Sequence, residues 1–246
     1  MKNIITNNVI IPQYNKQGIF LRRVRSFTCR NRPIKKNMIN ILKNYWPYFG
    51  LNFENRFINL NNVFNKKNSP IILEIGFGNG ENLLYNALHY KKYNILGIEV
   101  YIPGISNIFN KIHHSKIHID NLKIILHDAT EVLKFMIQDN TIQIIQLFFP
   151  DPWPKKKHHK RRILNIEFIK LISKKLINNG ILHIITDCKL YNEYIINNIN
   201  IIKNFINLSD HFYYFISSNL KKMTYFEKKA RLYKKNIFNL IFQCRK

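Results

Sequence analysis

The 246 residues fit one large domain, and a hydrophobic share of 46% is enough for a core, which excludes global disorder. Lys and Arg number 39 against 14 Asp and Glu, a formal net charge of +25, so the expected partner is a polyanion, nucleic acid foremost. No stretch approaches the ~18–20 apolar residues of a membrane span, no signal peptide is read at the N-terminus, and three distant cysteines (Cys29, Cys188, Cys244) suit free thiols in a reducing cytosol.

The N-terminal 50 residues read as a basic arm followed by a helix. No acidic residue precedes Glu54, while the same stretch carries ten Lys or Arg, among them Arg22, Arg23, Arg25, Arg30 and Arg32. From residue 70 strands and helices alternate. "PIILEI" (70–75), "NILGIEV" (94–100), "LKIILH" (122–127), "TIQIIQLFF" (141–149) and "ILHIITD" (181–187) are short apolar runs of the kind buried in a parallel sheet. Helical spacing is expected over 81–90, 102–119, 130–137, 164–180 with Gly180 as its C-cap, and near 189–202. Two late strands near 212–216 (with Tyr213 and Tyr214) and 237–243 complete a seven-stranded, mainly parallel sheet with helices on both faces, in a domain spanning 51–246.

Ligands of such sheets bind beyond the carboxyl ends of the strands. There the sequence places Glu74, Glu99, Asp128, Asp151 and Asp187, five of the chain's 14 acidic residues. After Glu74 the loop reads Gly76, Gly78, Gly80, which is G-x-G-x-G and not the G-x-G-x-x-G of a dinucleotide site. A carboxylate just before the glycines would repel phosphate and attract an ammonium or sulfonium. Glu99 is placed to accept from two ribose hydroxyls. A nucleoside with a cationic amino-acid tail, S-adenosylmethionine, answers both features.

The stretch "QLFFPDPWPKKKHHKRR" (146–162) runs from a core strand through three prolines around Asp151 to a cationic strip. Six of the nine residues from Pro154 to Arg162 are Lys or Arg, which suits phosphate contacts. Trp153 has two readings, a stacking partner for a base or a core aromatic. The histidines (His113, His114, His118, His158, His159) lack a partnered Cys or carboxylate at ligand spacing, so no metal is expected.

With "RVRSF" (23–27), "NYWPYFGL" (44–51), "EIGFGNGENLL", "GIEVYIPGI" (97–105), "HDATEVL" (127–133), "FFPDPWPKK" followed by "KRR", "ITDCKLYNEY" (185–194) and "TYFEKKA" (224–230), the chain resembles the bacterial tRNA (guanine-N7-)-methyltransferases over nearly its whole length. The resemblance implies a class I Rossmann-like methyltransferase, cytoplasmic and monomeric, that uses S-adenosylmethionine to methylate N7 of the guanosine at position 46 in the tRNA variable loop. It implies cofactor contacts at Glu74, Gly76, Gly78, Gly80, Glu99, Asp128 and Asp151, with Asp151 also catalytic. Lys155, Asp187, Thr224, Tyr225, Phe226 and Glu227 are implied substrate contacts, and Lys157, His158, His159, Lys160, Arg161 and Arg162 an RNA-facing strip. The chain departs from the family at Lys234–Lys235–Asn236, where relatives usually carry a glycine-containing turn, and at Asn79, where many carry an apolar residue. Two other readings compete. An amine methyltransferase is suggested by the superficial likeness of "DPWP" to an Asp/Asn-Pro-Pro-aromatic motif, and an RNA-binding module with a decayed cofactor site by the drifting composition.

Overall fold

The structure is a computed structural model that describes residues 9–14, 16–18, 24–28, 34–64, 66, 68–209 and 222–246. Helix α1 (Lys36–Phe49) leads straight into the two-residue strand β1 (Gly50–Leu51). The alternating part follows as β2 (Ile71–Ile75), α2 (Glu81–His89), β3 (Asn94–Glu99), α3 (Ile102–Ser115), β4 (Leu122–Leu126), α4 (Ala129–Phe135), β5 (Ile142–Phe148), α5 (Ile166–Lys175), β6 (Leu176–Thr186) and α6 (Lys189–Asn200). Strand β7 (Phe205–Asn207), helix α7 (Tyr225–Leu232) and strand β8 (Phe238–Cys244) close the chain. Among the described residues the sheet has eight strands in the order β1-β4-β3-β2-β5-β6-β8-β7, parallel except where β8 pairs with β6 and β7.

Successive side chains of a strand point to opposite faces, and the core divides accordingly. Ile72, Ile95, Ile124 and Ile144 pack with Trp46, Leu83 and Phe109 on one face. Leu73, Leu96, Ile125 and Ile145 pack with Val132, Phe168 and Tyr191 on the other. Strands apolar on both faces need such cover, which is why the runs read from the sequence are continuous instead of alternating.

Six of the seven expected strands are among these eight; the other two are β1, which adds to the β4 edge (Gly50 opposite Ile124), and β7, which pairs with β8. The expected helix over 164–180 stops at Lys175, because Leu176 turns extended (φ −64, ψ 144) and starts β6. Gly180 lies inside that strand and caps nothing. Between Ile142 and Ile144 of β5, β6 advances from Leu176 to Ile181, so 177–180 form a bulge. A Cβ on Gly180 would sit 2.9 Å from the Ile177 carbonyl oxygen and 3.2 Å from that of Gln143, so close backbone approach explains the glycine. The strand expected near 212–216, with Tyr213 and Tyr214, lies outside the described residues, as do Cys29, Arg22, Arg23, Arg30 and Arg32.

Candidate active site

The carboxyl ends of β2, β3, β4 and β5 open onto a cavity of about 620 Å³, a size typical of small-molecule sites. Its floor and walls include Gly76, Gly78, Glu99, Tyr101, His127, Phe149 and Asp151, with Tyr225 and Phe226 from α7 and Ser26–Thr28 from the arm. Sequence reading selected Gly76, Gly78, Glu99, Asp151, Tyr225 and Phe226, and the structure gathers all six here.

The glycines divide the work. Gly76 has φ +70, and a Cβ there would meet nothing within 4 Å, so its bare backbone faces open space where a ligand can approach closely. Gly80 (φ +71) is the N-cap of α2, and its Cβ would lie 2.1 Å from Ile108 Cδ1. Gly80 therefore packs the loop onto α3 and does not line the cavity.

Glu99 holds the loop. Its Oε2 accepts from the Gly78 amide at 2.7 Å, and its Oε1 from the amides of Val100 at 2.7 Å and Tyr101 at 3.0 Å. A carboxylate offers about four lone-pair directions. Three are taken, so Glu99 has room for one ribose hydroxyl where two were expected. Burial raises its pKa, these amide bonds oppose the rise, and nearby Asp151 adds to it.

Glu74 does not reach the cavity wall. It is 2% exposed under the glycine loop, where Oε2 accepts from Asn82 Nδ2 at 2.9 Å. Asn82 also donates to Gln146 Oε1 at 3.0 Å. Burial pushes the Glu74 carboxyl up to about 8. At neutral pH it is mostly uncharged, unlike the cation-attracting carboxylate expected from sequence. Asp128 caps α4, accepting from the Glu131 amide at 3.2 Å. Its neighbours His127 and Ala129 line the cavity in its place.

The loop after β5 is bent to present Asp151. Phe149 (φ +52) and Trp153 (φ +44) flank it in a backbone region that bulky residues rarely adopt. Such strain persists where surrounding contacts fix it. Here the Phe149 amide donates to the Ile185 carbonyl at 2.7 Å and the Trp153 indole to the Ser26 carbonyl at 3.1 Å. Asp151 is left exposed at the cavity mouth. Trp153, read from sequence as either a base-stacking or a core aromatic, is half-buried and outside both core clusters. Its indole anchors the arm, Arg161 lies 4.2 Å over the ring, and Arg161 Nε donates to the Arg25 carbonyl at 3.0 Å.

The cationic strip splits. Lys155, Lys157 and Lys160 are exposed, and His158 and His159 are half-buried. Arg162, expected to face RNA, is 4% exposed and turns inward. Its Nε donates to the Pro152 carbonyl at 2.9 Å, and its guanidinium lies 4.7 Å from the Tyr194 ring centroid and 5.2 Å from that of Tyr191. A charge whose donors are satisfied internally braces the Asp151 loop from behind.

The expected substrate residues divide likewise. Thr224 and Glu227 form a T-x-x-E cap on α7, the Thr224 hydroxyl accepting from the Glu227 amide at 3.2 Å, and buried Glu227 also pairs with Arg231 at 3.1 Å. That cap fixes Tyr225 and Phe226, 52% and 54% exposed, on the rim, with Phe226 stacked 6.4 Å from Phe149. Asp187 lies outside the cavity and binds Lys235 Nζ at 2.6 Å. The departure from the family turn thus adds a partner for an expected substrate residue. Asn79 is exposed and lines the cavity, and its carbonyl accepts from Asn107 Nδ2 at 3.1 Å, a contact that does not depend on its side chain.

Sequence reading missed Phe149, His127, Tyr101 and Ser26–Thr28 as parts of the wall. No spacing rule points to them, and only the "RVRSF" likeness touched the arm. Among the described residues no group of three or more His, Cys, Asp or Glu is placed to hold a metal ion, and no helix is long and apolar enough to cross a membrane.

The cavity fits a nucleoside with a sulfonium tail on its own chemistry. It offers bare glycine backbone and one open carboxylate direction at Glu99, and among the described residues no Lys or Arg lines it. Comparison with known proteins agrees. A family model described as "Putative methyltransferase" matches residues 68–240. A tRNA (guanine-N(7)-)-methyltransferase of Buchnera aphidicola subsp. Schizaphis graminum is 48% identical over 98% of this chain and 99% of its own. One from Pectobacterium atrosepticum is 35% identical over 96% and 98%. Among solved structures, the 16S rRNA methyltransferase KamB aligns with a TM-score of 0.48 at 7% identity, covering 72% of this chain and 88% of that one. The chain belongs to the tRNA (guanine-N(7)-)-methyltransferase family.

Proposed function

We propose that this protein transfers the methyl group of S-adenosylmethionine to N7 of the guanosine at position 46 in the tRNA variable loop, as a monomer in the cytoplasm. The observation that carries the chemistry is Asp151, held on a strained loop at the mouth of a cavity built from the glycine loop and Glu99.

When bound, the cofactor supplies an electrophilic methyl group on a sulfonium. Guanine N7 has an in-plane lone pair and no proton to lose, so the chain needs no strong base. Its work is positioning and charge. Gly76 and Gly78 let the backbone close on the cofactor, and Glu99 accepts from its ribose. Phe226 and Tyr225 offer ring faces on the rim, on which a purine drawn out of the tRNA can stack. The purine becomes cationic as the methyl arrives. The Asp151 carboxylate then stabilises the transition state more than the ground state. Lys155, Lys157 and Lys160 face the phosphates beside the target, and the basic arm, residues 1–50, supports them as an RNA-facing element. Glu74 and Asp128 act on the cofactor through the loop and the helix cap they hold.

The test is incubation of Asp151→Asn and the parent protein with unmodified tRNA and labelled cofactor, followed by cleavage at 7-methylguanosine. At about 4 Å and an effective dielectric constant of 20–80, loss of the charge costs about 1–4 kcal/mol, or about fivefold to a thousandfold in rate. A single cut in the variable loop and a slowed variant support the reading. Label without that cut points to an amine target, and an Asp151→Asn protein at full rate removes the role given to the carboxylate.

A further inference from the structure

A second cavity, of about 670 Å³, lies between α4, α5 and the strap at Val24–Ser26. It is separate from the cofactor cavity but shares Ser26 and Ile163 with it, so the two meet at the strap. Exposed Lys134 comes from α4, and Lys170 and Lys174, four residues apart on one helical face, from α5. Lys160 and Arg161 enter from the strip, and Arg25 from the strap.

Four acidic side chains also line the groove, and each is engaged locally. Asp128 caps α4, Glu131 pairs with buried His127 at 2.6 Å, and Asp139 binds buried Lys175 at 2.6 Å. Glu167 lies 3.8 Å from Lys170. Among the described residues no carboxylate lies within ion-pair distance of Lys134, Lys160 or Lys174. Cations outnumber anions in a concave surface, which focuses a positive field. The exposed aromatic of the groove, Phe57, has Lys175 Nζ 5.3 Å from its ring centroid, so a cation already covers one side of the ring.

We infer that this groove is a second RNA track. It holds the phosphates of a stem that runs away from the target base, without reading sequence. The inference rests on the tRNA reading above. A lining in which Lys and Arg outnumber every other polar side chain suits contacts to phosphates, which position a nucleic acid without reading its sequence. The shared wall at Ser26 explains the geometry. A nucleotide at Asp151 and a stem in the groove are two parts of one ligand lying across the strap, with Arg25 and Arg161 at the crossing.

The test compares two triple variants. One is Lys134→Gln with Lys170→Gln and Lys174→Gln. The other is Lys91→Gln with Lys92→Gln and Lys116→Gln, which removes the same charge from exposed sites off the groove. All six positions are exposed, and cofactor affinity by calorimetry checks that each variant folds. Binding of unmodified tRNA is measured across a salt series. Each lost phosphate contact lowers the slope of log affinity against log salt by about 0.7–0.9. The groove variant is expected to lose about two to three in slope and to raise KM for tRNA at least tenfold at low salt, with kcat unchanged. The control variant should keep its slope. Equal slopes in the two variants, or no change in the groove variant, overturn the inference. A groove-dependent slope in a protein that makes no 7-methylguanosine would instead leave the track standing and remove the proposed reaction.

Discussion

Glu74 offers a test that separates burial from ligand contact. In the folded chain its carboxyl is pushed from 4.5 to about 8, mainly by burial, against the opposing Asn82 hydrogen bond. Below about pH 4.5 the folded and unfolded chains both carry the proton. Above it the unfolded chain releases the proton while the folded chain keeps it up to about pH 8. The folded state then binds more protons, so stability falls as pH rises through that window. Each pH unit inside it is worth about 1.4 kcal/mol, which makes the loss from pH 5 to pH 8 on the order of 3 kcal/mol. Glu74→Gln keeps a carbonyl to accept from Asn82 and has no proton to lose. Urea unfolding of both proteins from pH 5 to pH 8 should show the parent losing about 3 kcal/mol relative to the variant, with the gap widening as pH rises. Glu99 and Asp128 are raised by burial in both proteins, so their slopes cancel in the difference. A gap that stays flat with pH refutes the account and returns Glu74 to the ionised state expected from sequence.

Other residues give sharper readouts of function. Phe226→Ala removes a stacking face on the rim and should weaken tRNA utilisation by about 1–3 kcal/mol, read as a loss of about five- to 150-fold in kcat/KM with cofactor affinity kept. Trp153→Phe keeps a ring under Arg161 but deletes the indole N–H that holds the Ser26 carbonyl. It should cost about 1 kcal/mol, seen as a several-fold rise in the cofactor Kd, because Ser26–Thr28 wall the cavity. Thr224→Ala unmakes the α7 cap and should lower stability by about 1 kcal/mol in urea unfolding, with KM for tRNA rising as Tyr225 and Phe226 lose their anchor. Lys235→Met frees Asp187 from its 2.6 Å partner, and Lys235→Arg should restore the parent KM for tRNA if the pairing positions that carboxylate.

The parts of this protein that were legible in its sequence are those whose cause is local. Strands buried on two faces leave continuous apolar runs, and the order of those runs already sets five acidic residues at the ligand-binding edge. The glycine loop was legible because positive φ at Gly76, Gly78 and Gly80 demands the residue. What stayed hidden depends on contacts across the chain. Trp153 meets Ser26 across 127 positions and Arg161 meets Arg25 across 136, so no window of sequence distinguishes a stacking tryptophan from one that anchors an arm. Arg162 was misjudged for the same reason. Charge in a strip reads as exposed, and only the rings of Tyr191 and Tyr194, folded against it from α6, turn it inward. The acidic residues at the strand ends show the limit most plainly. One pattern produced Glu74, a neutral carboxyl under a loop; Glu99, a clamp on backbone amides; Asp128, a helix cap; and Asp151, an exposed charge at the cavity mouth. Strand ends fix where a carboxyl sits along the sheet. Its solvation and its donors decide whether it is charged and what it can touch, and both come from elements far away in sequence.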